Sequence, residues 1–78
     1  MIEQKIKQDT IEIGKNINRI RKEKGIKQVD MVRKIQLMNV DIARGTLVKI
    51  ERGIQHIYCS QLRAIKTVLD TSYDELFK

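Results

Sequence analysis

Apolar residues recur along this chain at three- and four-residue intervals, in blocks set apart by glycines or short polar runs. Ile13, Ile17 and Ile20 form the first stripe, the spacing of one buried helical face. Asp9 or Thr10 is placed to cap that helix, with Glu12 three residues after Asp9 as in a capping box. Lys22 and Lys24 suit its C-terminal end, and Gly25 suits the left-handed residue that stops it. A second helix is predicted from Gln28 to Ile35 or Gln36, with Met31, Val32 and Ile35 inward. A third covers Ile42 to Arg52 and stops at Gly53, with Leu47 and Ile50 on one face and Ala43 one turn earlier. A fourth, Ser60 to Leu69, turns Leu62, Ile65, Val68 and Leu69 inward and ends at Asp70-Thr71. Ser72 with Glu75 forms a second capping-box pattern before Leu76 and Phe77. The expected fold class is all-α, five helices around one aliphatic core.

Between these blocks the pattern is weaker. Leu37, Met38, Val40 and Ile42 are apolar enough to pack, while Asn39 and Asp41 suit a turn and a helix cap. Residues 54–58 form a connector of extended character. Residues 1–9 divide off as an N-terminal arm or helix extension, with Ile2 and Ile6 one turn apart, leaving residues 10–78 as the domain proper. At 78 residues the chain is long enough for one domain that buries about 60% of its unfolded surface. Such a core leaves little room for an enclosed catalytic cavity.

Charge changes the picture. The formal net charge is +6, and the stretch Lys15 to Lys34 is densely basic, opposed only by Glu23 and Asp30. A basic excess attracts polyanions, nucleic acid first and an anionic membrane surface second. A membrane-surface binder would line its aliphatic residues along one exposed stripe, whereas here they divide among several capped helices. The third helix, held down by Leu47 and Ile50, sends Arg44, Thr46 and Lys49 mostly off its apolar face. Arg, Thr and Lys on the free side of an anchored helix suit the major groove of DNA.

Three segments in order resemble one family: IGKNINRIRKEKGIKQ at residues 13–28, TLVKIERG at 46–53 and LRAIKTVLDTSYDELF at 62–77. The chain is similar to the Cro/phage-repressor type of helix-turn-helix domain, the XRE family, in the subset with a lengthened turn. The resemblance implies a compact five-helix, lambda-repressor-like fold and a sequence-specific, repressor-like DNA-binding transcriptional regulator acting as a homodimer on a palindromic operator. It implies base contacts from Arg44, Gly45, Thr46 and Lys49, phosphate contacts from Gln28 and Arg52, and a structural ion pair between Arg21 and Glu51. Lys27 adds general electrostatic attraction to the phosphates, and Tyr58 either touches a phosphate or covers the core. Leu76, Phe77, Ile2 and Ile6 are the candidates for a dimer face. Three positions depart from the family pattern. The turn from Gln36 to Ala43 is long, Gly45 stands where a polar side chain is usual, and Val32 replaces an alanine near the helix crossing. These departures keep a second reading open, a protein-interaction module of the same fold, antitoxin-like or sequestering a regulator, without operator binding.

Other chemistry finds little support. His56 and Cys59 are spaced H-x-x-C, but a zinc site needs three or four protein ligands and the chain has no other His or Cys. A Cys–His catalytic pair lacks an orienting group and a pocket. Cys59, which cannot form an internal disulfide, reads as a small buried hydrophobe. No enzyme activity, cofactor or metal is expected. The N-terminal residues lack the apolar run of a signal peptide or membrane span, so the expected localisation is cytoplasmic. The expected partners are double-stranded DNA and a second copy of the chain, with a regulatory protein as a further candidate and no membrane.

Overall fold

A computed structural model describes residues 4–8 and 12–78 of the chain. The described residues form five helices: α1 (Ile13–Glu23), α2 (Gln28–Leu37), α3 (Arg44–Glu51), α4 (Cys59–Leu69) and α5 (Tyr73–Leu76). The molecule is not all-α. β1 (Lys5–Ile6) pairs antiparallel with β2 (Ile57–Tyr58), Lys5 opposite Tyr58 and Ile6 opposite Ile57. The expected arm is therefore a strand, and the connector after α3 is its partner. Ile57 is fully buried and Ile6 packs against the core, so one face of this small sheet is held by the aliphatic interior. Ile2, Asp9 and Thr10 lie outside the described residues, but α1 starts at Ile13 with Glu12 as its N-cap and no side-chain cap bond, so neither Asp9 nor Thr10 holds the expected cap position.

The predicted stripes form the core. Ile13, Ile17 and Ile20 of α1 meet Met31, Val32 and Ile35 of α2, Leu47 and Ile50 of α3, and Leu62, Ile65 and Leu69 of α4. Ala64 is buried as well, whereas Val68 is only half-buried. At roughly 1.5–3 kcal/mol for each fully buried aliphatic side chain, this cluster is the main favourable term in the fold.

Four helices end alike. After α1 the N–H of Ile26 donates to the Arg21 carbonyl and that of Gly25 to the Lys22 carbonyl, the paired bonds of a Schellman motif. The ends of α2, α3 and α4 repeat it, with Val40 to Ile35, Ile54 to Lys49 and Thr71 to Lys66 as the longer bonds. The left-handed residue is glycine after α1 and α3, with φ of 68° at Gly25 and 77° at Gly53. Asn39 and Asp70 take it after α2 and α4, where a side chain makes the conformation costlier. Asn39 is thus the turn residue its sequence suggested.

Asp41 is not the cap of α3. That helix begins two residues later than expected, at Arg44, and its N-cap is Ala43, which has no side chain able to accept a backbone N–H. Ala43 is exposed, so it does not continue the Leu47–Ile50 face. Residues 40–43 are instead an extended link, braced where Gln36 Nε2 donates to the Ile42 carbonyl at 2.9 Å and Gln61 Nε2 to the Asp41 carbonyl at 3.2 Å. Leu37 and Met38 do not pack as their apolar character suggested; they are 78% and 42% exposed, because the motif closing α2 turns them away from the core. At the last helix, Ser72 Oγ accepts from the Glu75 N–H at 3.2 Å, as its spacing predicts.

Candidate nucleic-acid interface

The aliphatic anchors of α3 leave its other side free. Leu47 and Ile50 are fully buried, and Glu51 is buried at the last turn. Arg44, Gly45 and Lys49 are exposed, Thr46 is half-buried, and Arg52 is exposed just past the end. Among the described residues no hydrogen bond or ion pair engages the side chains of Arg44, Thr46, Lys49 or Arg52. The cations are therefore not spent on the fold. Gly45 is not held by sterics either: its backbone is not left-handed, and a Cβ built on it would meet nothing within 4 Å.

Glu51 organises the opposite end of the helix. Arg21 Nε and Nη2 donate to its two carboxylate oxygens at 2.8 and 2.9 Å, a bidentate pair with 10% and 3% of the side chains exposed. Asn18 Nδ2 donates to Glu51 Oε1 at 2.7 Å and Gln28 Nε2 to the same oxygen at 3.2 Å. Arg21 also closes on the Ile26 carbonyl at 2.8 Å, so the turn after α1 joins the network. Burial pushes the Glu51 carboxyl up, but the hydrogen bonds from Arg21, Asn18 and Gln28, with the Arg21 charge, outweigh it and hold it below the usual carboxylate range.

Gln28 thus has a structural attachment that the sequence did not reveal. One hydrogen of its side-chain amide goes to Glu51, while its backbone N–H lies in the first turn of α2 beside the exposed N-cap Lys27. Asn18 was also missed, although it lies one turn before Arg21 on the same side of α1.

Gln8 is the other residue that sequence reasoning missed. Its Oε1 accepts the Gly14 N–H at 2.7 Å, and its Nε2 donates to the carbonyls of Ile50 and Gln55 at 3.1 and 3.0 Å. One amide therefore joins the strand arm, the start of α1, the end of α3 and the connector. Gly14 sits there because α1 and α3 nearly touch: a Cβ at that position would overlap the Ile50 carbonyl oxygen. The stripe Gly14–Ile17–Arg21, at helical spacing, was the available signal for this crossing.

Tyr58 is half-buried, with the Lys5 ammonium 5.7 Å from its ring centroid and its backbone N–H donating to Gln61 Oε1 at 3.0 Å. Cys59 is only half-buried at the start of α4, and His56 is exposed. No group of three or more His, Cys, Asp or Glu side chains converges on a point among the described residues.

No family model and no curated protein matches the chain. One solved structure, the crystal structure of the restriction-modification controller protein C.AhdI from Aeromonas hydrophila, superposes with a TM-score of 0.73. The match covers 86% of this chain and 94% of that one, at 22% sequence identity. The chain shares the fold of this controller protein. At that identity the likeness concerns the fold alone. No helix among the described residues is long and apolar enough to cross a membrane.

Proposed function

We propose that the protein is a sequence-specific DNA-binding regulator of transcription, repressor-like, that reads the major groove with α3. The observation that carries this reading is the outward set Arg44, Thr46 and Lys49, unengaged by the fold on a helix whose other face is fixed by Leu47, Ile50 and Glu51. Arg44 and Lys49 donate to guanine O6 and N7, and Thr46 meets a base edge or a thymine methyl. Gly45 between them leaves the helix backbone bare for close approach. Gln28, Lys27, Arg52 and Tyr58 act on phosphates, which position the domain without reading sequence. Kinship of fold with a restriction-modification controller supports a role in gene control.

The regulator acts as a homodimer on a two-fold operator, since two half-sites multiply what one small interface achieves. Leu76 is fully buried and takes no part in the dimer face. Ile6 packs against the core, and Tyr73 joins the expected Phe77 at that face, both exposed and packed edge to face with centroids 6.5 Å apart. The interaction-module alternative draws on one observation, the exposed Leu37 beside Met38 in the lengthened turn.

Selection of bound duplexes from a random pool tests the reading. The expected result is an enriched palindrome, and failure to retain duplex at low salt would leave the interaction module in its place. Within that assay Lys49→Ala relaxes the preference at one base by about 1–3 kcal/mol of discrimination. Arg52→Ala weakens all sequences alike and makes the log-affinity versus log-salt slope shallower by about 0.9. Equal losses on every sequence for Lys49→Ala, or an unchanged slope for Arg52→Ala, would remove those roles.

A further inference from the structure

The two-stranded sheet has an inner and an outer face. Ile6 and Ile57 point to the core, so the alternation of a strand sends their neighbours Lys5, Lys7, His56 and Tyr58 to the other side. Lys5, Lys7 and His56 are exposed, and the Lys5 ammonium rests over the Tyr58 ring, confirming that those two share the outer face.

Residues of this face line hollows next to the segments that precede and follow α3. At one end an open hollow of about 340 Å³ is lined by Lys7, Gln8, Gly53, Ile54, Gln55 and His56, directly after the helix. At the other, a hollow of about 370 Å³ lies between Tyr58, Ser60 and Gln61 and the link Asn39–Asp41 that leads into the helix. Tyr58 of β2 thus borders the link that precedes α3, while Lys7 and His56 border the turn that follows it. Residues 4–8 and 54–58 hold two lysines, a histidine and a tyrosine but no carboxylate. Glu3 and Asp9 flank residues 4–8 in the sequence; among the described residues, Asp41 borders the far hollow and Glu12 is paired with Lys15 at 3.0 Å.

We propose that the outer face of this sheet is a second phosphate-binding ridge, on which β1 supplies Lys5 and Lys7 to the sugar–phosphate backbone bordering the groove that α3 enters. The proposal rests on the DNA-binding reading and extends it to a strand outside the helix-turn-helix unit. A helix in the major groove lies between two phosphate rows. Gln28 and Lys27 at the start of α2 approach one row, and the ridge beside α3 approaches the other. Such contacts add affinity and salt dependence without adding sequence preference.

The test is the salt dependence of binding by the full chain, measured on the selected duplex and on random duplex. Lys5→Ala with Lys7→Ala is expected to lower affinity on both by the same factor. It should also make the log-affinity versus log-salt slope shallower by about 1.8, the release of two counterions. Lys5→Arg with Lys7→Arg restores the slope. Lys66→Ala with Lys78→Ala removes the same net charge elsewhere, and leaves the slope within about 0.5 of wild type. A thermal melt of each variant checks that the fold is retained. Wild-type slope in the Lys5/Lys7 double alanine variant overturns the ridge alone, and so does an equal slope change in the Lys66/Lys78 control. Wild-type protein that retains no duplex overturns both the ridge and the DNA-binding reading.

Discussion

At its C-terminal end α3 is fixed by Glu51, whose carboxylate gathers Arg21, Asn18 and Gln28, and by the Ile50 carbonyl, which receives Gln8 against Gly14. At its N-terminal end the same helix starts after an uncapped alanine, carries a glycine in its first turn and presents Arg44 to open surroundings. The eight residues between these ends thus pass from a buried polar network to a surface with no internal commitments. A probing helix needs both. One end must hold its angle to the rest of the molecule, and the other must be free of contacts that a ligand would have to displace.

The largest effect that breaks this contrast is expected at the anchored end. Glu51→Ala leaves the Arg21 guanidinium buried without its partner and should cost about 3–5 kcal/mol, read from urea or thermal unfolding. A loss below about 1 kcal/mol would mean that the network does not hold α3. The same residue sets a pH dependence. Because its folded-state carboxyl lies below the usual range, its contribution is present above the unfolded value of about 4.3 and is lost as pH falls through the lower folded value. Stability of wild type should fall over that acidic window, and the Glu51→Ala variant should lose this part of the fall.

Next in size is Gly14→Ala. The added methyl meets backbone, which cannot rotate aside, so α1 and α3 must separate; about 3 kcal/mol is expected from the same unfolding measurement. An unchanged midpoint would show that the two helices can part freely.

The smallest effect has the opposite sign and lies at the free end. Gly45→Ala fills open space on a backbone already helical, so it should stabilise the protein by up to about 1 kcal/mol while weakening binding to the selected duplex. Raised stability with undiminished affinity would show that the bare backbone at Gly45 has no part in docking.

Legibility in the sequence followed the same division. The aliphatic stripes are local and periodic, so α2, α4 and the end of α1 could be placed within a residue or two, and the turn at Asn39 followed from its side chain; the start of α1 at Ile13, without a side-chain cap, falls later than Asp9 or Thr10 suggested. Ala43 could not be told from a buried residue, because its spacing from Leu47 is right and only the extended link before it takes it out of the helix. The strand pair was illegible because two residues of alternation carry no signal alone; β1 exists through a partner about fifty positions away. The outward cations of α3 were legible since a helix shows its faces in its spacing. Gln8 was not, because an amide in a polar arm announces nothing about the three backbone groups it will find.

Gln8 also determines how the arm can vary. Its side chain must accept at one end and donate twice at the other, and among the twenty residues only another primary amide does both. Glutamate, nearly identical in shape, brings no donor for the Ile50 and Gln55 carbonyls and would set a negative charge against them. Beside the pairing with β2 and the packing of Ile6, one amide nitrogen thus ties the arm to the end of α3, and the exchange rate of the Gly14 amide proton becomes a gauge of whether the strand is seated.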